Sequence, residues 1–121
     1  MNRFLHLEKI WLVNIPFQLF LYYFFMENLE KTASQIRRDI LRMVHAVQSG
    51  HPGGSLGCTD FLTALYFHTM RHNIPFQMDG VGEDVFFLSN GHISPLMYSV
   101  LARSGYFPVE ELSTFRRING R

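Results

Sequence analysis

Apolar and polar positions follow a helical period over most of this chain. Ile36, Ile40, Met43, Val44 and Val47 recur three and four residues apart, while Arg37, Arg38, Asp39, Arg42 and Gln48 fall on other faces. This spacing predicts an amphipathic helix over roughly 33–49. Thr32 followed by Gln35 has the form of a capping box at its start, and Gly50 is a natural stop. A second helical run covers roughly 56–72, with Ser55 as its cap and Phe61, Leu62, Leu65, Tyr66 and Met70 as its apolar face. Residues 73–84 have no period and are rich in loop formers. The run VFFL, 85–88, is short, apolar and without alternation, the pattern of a strand buried on both faces of a parallel sheet. After it, ISPLMYSVLARSG reads as a helix with Pro95 in its first turn and Gly105 past its end. A last helix is predicted over 109–117.

The regular pattern begins only after Met26. Residues 10–25 read IWLVNIPFQLFLYYFF. Of the chain's 12 Phe, 5 Tyr and 1 Trp, eight lie in the first 25 positions: Phe4, Trp11, Phe17, Phe20, Tyr22, Tyr23, Phe24 and Phe25. The run is shorter than the roughly 20 residues that span a bilayer core, and Asn14, Pro16 and Gln18 interrupt it. Arg3 and Lys9 ahead of an apolar run suit a signal peptide, but no small-x-small cleavage site follows. Residues 1–25 are therefore expected to be an apolar extension outside the domain, with Met26 as the candidate start. The domain is expected to occupy 26–121.

Composition narrows the picture. The 121 residues allow one small domain at most, and the apolar fraction of 47% is that of a globular protein. A formal net charge of +1 gives no broad field to select nucleic acid or an anionic membrane, so neither is expected as a partner. The single cysteine, Cys58, excludes an internal disulfide and fits a reducing, cytoplasmic compartment. One buried parallel strand needs neighbours on both edges, and none is visible between 26 and 121. The expected fold class is thus α/β, with this chain as the mostly helical first part of a parallel-sheet domain.

Candidate chemistry gathers in two turns. SGHPGGSLG, 49–57, sets His51 among four glycines, a proline and two serines at a helix start. SNGH, 89–92, sets His92 beside Gly91 at the carboxyl end of the predicted strand, the ligand side of a parallel sheet. Glycines let backbone approach a ligand closely, and imidazoles there suit hydroxyl recognition or proton transfer. A turn histidine satisfied by nearby backbone fits the same pattern. Other candidates rank lower. His45 reads as solvated. His68 and His72, four apart, have the spacing of a metal pair but lack a third ligand. Cys58 reads as a small buried residue. Asp79, Glu83 and Asp84 precede the strand as caps or solvated groups, and Arg116, Arg117 and Arg121 are too few for nucleic acid.

IRRDILRMVHAVQSGHPGGSLGCTDFLTALYFHTMR resembles the opening of a transketolase, and DVFFLSNGHISPLMYSVLARSGYFPVEELSTFRRINGR resembles the next stretch of that family. The likeness covers about 34–121 in one register. Deoxyxylulose-phosphate synthases place histidines similarly, but their first loop reads more like G-G-H-x-x-S. The stretch Tyr106-Phe107-Pro108 resembles transketolases split into two subunits. The resemblance implies a thiamine-diphosphate-binding domain. It also implies a divalent metal, usually Mg2+, and transfer of a two-carbon ketol unit from a ketose phosphate to an aldose phosphate. It places His51 at the sugar's hydroxyls, as the catalytic residue, and His92 near the cofactor's diphosphate. Sugar phosphates and the remainder or C-terminal subunit of the enzyme are the implied partners, in a homo- or hetero-oligomer of carbohydrate metabolism. Three family features are absent from these 121 residues: a further Gly-His-Pro motif, the Gly-Asp-Gly segment with its asparagine that holds the metal, and the glutamate that activates the cofactor. No metal ligand is assigned here, and the isolated chain is expected to be inactive. The alternatives are a non-catalytic helical interaction module with an apolar N-terminal anchor, or a fragment of a deoxyxylulose-phosphate synthase-like enzyme.

Overall fold

The computed structural model describes residues 16–75 and 81–120. Expectations for Trp11, Asn14, Asp79 and Arg121 lie outside the described residues. Four α-helices form the framework: α1 (Phe17–Val47), α2 (Pro52–Gly57), α3 (Thr59–Ala64) and α4 (Ser94–Arg103). A π-helical turn, Leu65–Thr69, continues α3, and 3₁₀ turns at Gly91–Ile93 and Val109–Thr114 flank α4.

Helix α1 is far longer than its amphipathic pattern predicts. Residues 26–32 contain no breaker, so the helix runs back to Pro16, whose extended backbone (φ −51, ψ 138) opens it. Thr32 is therefore interior rather than a cap, and Gln35 turns to Asp39 and Arg38 instead. The C-terminal stop falls earlier than Gly50. Gln48 adopts the left-handed conformation (φ 50), and its side-chain Nε2 donates to the His45 carbonyl at 2.7 Å.

The second predicted helix is broken into three. It begins at Pro52, with His51 as the residue before it, and is interrupted at Cys58 (φ −91, ψ 1). Ser55 is no cap; it is fully buried inside α2, and its carbonyl accepts from Thr59 Oγ1 at 2.9 Å. Phe61, assigned to the buried face, is 66% exposed, whereas Leu62 and Tyr66 of that face are buried. Helix α4 with Pro95 in its first turn matches its prediction, while the last helix is a 3₁₀ turn.

No β-strand occurs among the described residues. Residues 85–88 belong to no helix or strand and pair with no other strand. Phe86 and Leu88 pack on the core, whereas Val85 and Phe87 face outward, Phe87 at 88% exposure. The run is thus half-buried with alternation, not buried on both faces. Without a neighbouring strand to satisfy its amides it has no ladder to join.

Ile36 and Ile40 of α1, Leu62 and Tyr66, and Ile93, Leu96 and Val100 form one buried cluster. Each fully buried aliphatic side chain contributes about 1.5–3 kcal/mol. Met43, Ala102, Phe107, Leu112 and Phe115 form a second. Between them α1 is tied to α4 by a polar bracket. Buried Asp39 accepts from Ser99 Oγ at 2.9 Å, from Arg103 Nη2 at 3.0 Å and from Arg103 Nε.

Candidate functional site

Gly50 turns the chain out of α1 at φ +130, a conformation that L side chains rarely adopt, and a Cβ there would meet Val44 Cγ2 at 3.2 Å. The next residue, His51, immediately precedes α2 and makes no side-chain capping bond. Pro52 fixes the first turn behind it. On the other side, Asn90 Oδ1 accepts the His92 backbone N–H at 3.2 Å and starts the 3₁₀ turn. That turn leads directly into α4.

These two turns meet. The imidazoles of His51 and His92, distant in sequence, lie edge to face with ring centroids 5.6 Å apart at an interplanar angle of 71°. Both residues are exposed. A Cβ added at Gly53 or Gly91 would touch nothing within 4 Å, so open space adjoins the pair. Two imidazoles converging beside open space can accept and donate hydrogen bonds to one polyhydroxylated or anionic ligand.

The remaining candidates do not converge. His45 is exposed on α1. The chain leaves its helix at Met70, so His68 and His72 diverge. His68 rests on Phe25 (centroids 4.6 Å), while His72 Nε2 donates to the Tyr66 carbonyl at 3.0 Å, between the rings of Tyr66 and Tyr106. Cys58 is half-buried. Among the described residues no three His, Cys, Asp or Glu side chains come together as a metal site. A cleft of about 310 Å³ between α1 and the Val109–Thr114 turn is lined by Met43, Val47, Leu112 and Phe115. It lacks the histidines, and its buried carboxylate, Asp39, is already held by Arg103 and Ser99.

Sequence reading missed the Asp39 bracket. The signal was present: Asp39 sits beside Ile40 and three residues from Ile36, a charge on the stripe that faces the core.

The family described as Transketolase, thiamine diphosphate binding domain, matches residues 29–121. Over 97 residues, 79% of the chain, it is 39% identical to the transketolase of Buchnera aphidicola and 37% identical to transketolase 1 of Escherichia coli. Over 90 residues, 74% of the chain, it is 39% identical to a 6-deoxy-6-sulfo-D-fructose transketolase subunit of a Clostridium species. The chain spans 14% of the length of the first two proteins and 32% of the third.

Proposed function

The chain belongs to the transketolase family through its thiamine diphosphate binding domain, and from that premise we propose that it supplies the two-histidine edge of a ketol-transferring site. The observation that carries this reading is the contact between the His51 and His92 rings. In it, His51 hydrogen-bonds the hydroxyls of a sugar phosphate. His92, at the turn that opens α4, holds the diphosphate end of the cofactor. Thiamine diphosphate supplies, when bound, a nucleophilic thiazolium carbon and an electron sink for the two-carbon unit. The residues here suit a hydrogen-bonding edge for that group. They do not suit its metal, since no cluster of metal ligands forms among the described residues. Mg2+ is assigned to segments outside these 121 residues.

The same reading makes 85–88 a strand of a parallel sheet whose neighbours lie elsewhere in the enzyme. Phe86 and Leu88 already rest on the helices as one face of such a sheet would. It also gives the chain a partner segment or subunit, in keeping with the subunit-type relative, and a cytoplasmic setting. No helix among the described residues is long and apolar enough to cross a membrane. We place the start of the domain near Met26: the family match starts at 29, and the large side chains from Phe17 to Phe24 are exposed.

The test is kinetic, in a full-length transketolase built with this segment in place. His51→Ala lowers turnover, by about 10²–10⁴-fold for a lost acid–base group, more than it weakens cofactor binding. His92→Ala weakens apparent cofactor affinity by roughly ten- to a hundred-fold, the loss of a hydrogen bond to a charged group. Near-wild-type values in both variants would reduce the pair to turn residues.

A further inference from the structure

We propose that Gly54 and Ile93 form a spacer that fixes the separation of His51 and His92. The neighbouring glycines of α2 differ in kind. A methyl group added at Gly53 would meet nothing within 4 Å, whereas one added at Gly54 would meet Ile93 Cγ2 at 3.1 Å. Neither glycine has a positive φ, so backbone freedom explains neither. Alanine would even favour the helix by about 1 kcal/mol.

Ile93 cannot simply yield. It is buried in the cluster that includes Ile36 and Leu96, and it closes the 3₁₀ turn that carries His92. Carbon atoms prefer separations of about 3.5–4.0 Å. A methyl at 54 therefore pushes α2 away from the Gly91–Ile93 turn by a few tenths of an ångström. The point of closest approach lies three residues after His51 and one after His92, so the displacement falls on the ring pair. Both Gly54 and Ile93 are positioning residues. Their significance for catalysis rests on the site reading above, but their effect on the rings does not.

The experiment is proton NMR of the imidazole carbon-bound hydrogens in the 121-residue chain. Edge-to-face rings shift each other's resonances, and His51→Ala and His92→Ala give the shifts of each ring alone. Gly54→Ala is expected to move both histidines toward those single-ring positions, while Gly53→Ala leaves them unchanged. Ile93→Leu removes the Cγ2 branch, so Gly54→Ala combined with Ile93→Leu restores the wild-type shifts. A change confined to melting temperature, equal shifts in the Gly53 and Gly54 variants, or no rescue by leucine would overturn the proposal. Should Gly54→Ala alone fail to fold, the double variant decides. Folded with wild-type shifts it supports the spacer, and unfolded it rejects it. Because no activity is measured, failure here is distinct from failure of the ketol-transfer reading.

Discussion

Asp39 is a carboxylate at a core position, its oxygens satisfied by Arg103, Ser99 and Gln35. Removing one partner of such a pair strands the other, at about 3–5 kcal/mol for a fully buried pair. The Arg103 side chain keeps 23% exposure, so Asp39→Ala is expected to cost about 3 kcal/mol, the lower end of that range. Ser99→Ala should cost about 1 kcal/mol. Denaturant titration of the two variants checks the order, and equal losses would show that the ion pair adds nothing beyond the hydroxyl. Tyr66 gives a pH-dependent counterpart. Burial, with a smaller effect from Tyr106, pushes its phenol up from 10.0 to about 12. The folded chain thus holds that proton more tightly than the unfolded chain. The associated stability is complete below pH 10 and is lost as pH rises toward about 12. Burial moves Tyr106 in the same direction. Alkaline unfolding of Tyr66→Phe should therefore be shallower than wild type but not flat; identical curves would mean that Tyr66 titrates alike in both states. At this scale the histidine turns were legible, because glycine and proline beside a titratable ring are a local signal. Their meeting was not, since it depends on how α2 seats on α4.

Helix α1 shows what pattern reading resolves within an element and what it does not. The apolar stripe at Ile36, Ile40 and Met43 was read correctly, since all three are buried. The start was not, because Thr32 and Gln35 match a capping box while nothing before them stops the helix. Hydrogen bonding propagates until something interrupts it, and here that is Pro16. The added turns bury little. Phe17, Phe20, Tyr22, Tyr23 and Phe24 are 73%, 47%, 58%, 61% and 57% exposed, and Phe25 meets His68. A chain beginning at Met26 is therefore expected to melt within a few degrees of the 121-residue chain. A large drop would assign the apolar end to the core. The second helix failed as a single element because Cys58 breaks its backbone, which no periodicity in 56–72 announces.

Across the whole molecule, the helical lobe and the order of its parts were readable, because contacts along α1, α3 and α4 are set by local period. The sheet was not testable by period alone, since a strand is completed by segments distant in sequence. The proposed cofactor site is divided in the same way. The 121-residue chain, lacking the Gly-Asp-Gly segment and any clustered metal ligands among the described residues, should show no saturable micromolar uptake of thiamine diphosphate with Mg2+. Isothermal calorimetry decides this, and tight binding would relocate the metal into this chain. The run at 85–88, with Phe87 outward and no neighbouring strand among the described residues, has one more consequence. An apolar edge without a partner templates the backbone of any chain that reaches it, another molecule of the same polypeptide included. Kept apart from the rest of an enzyme, this protein therefore carries a concentration-dependent aggregation hazard.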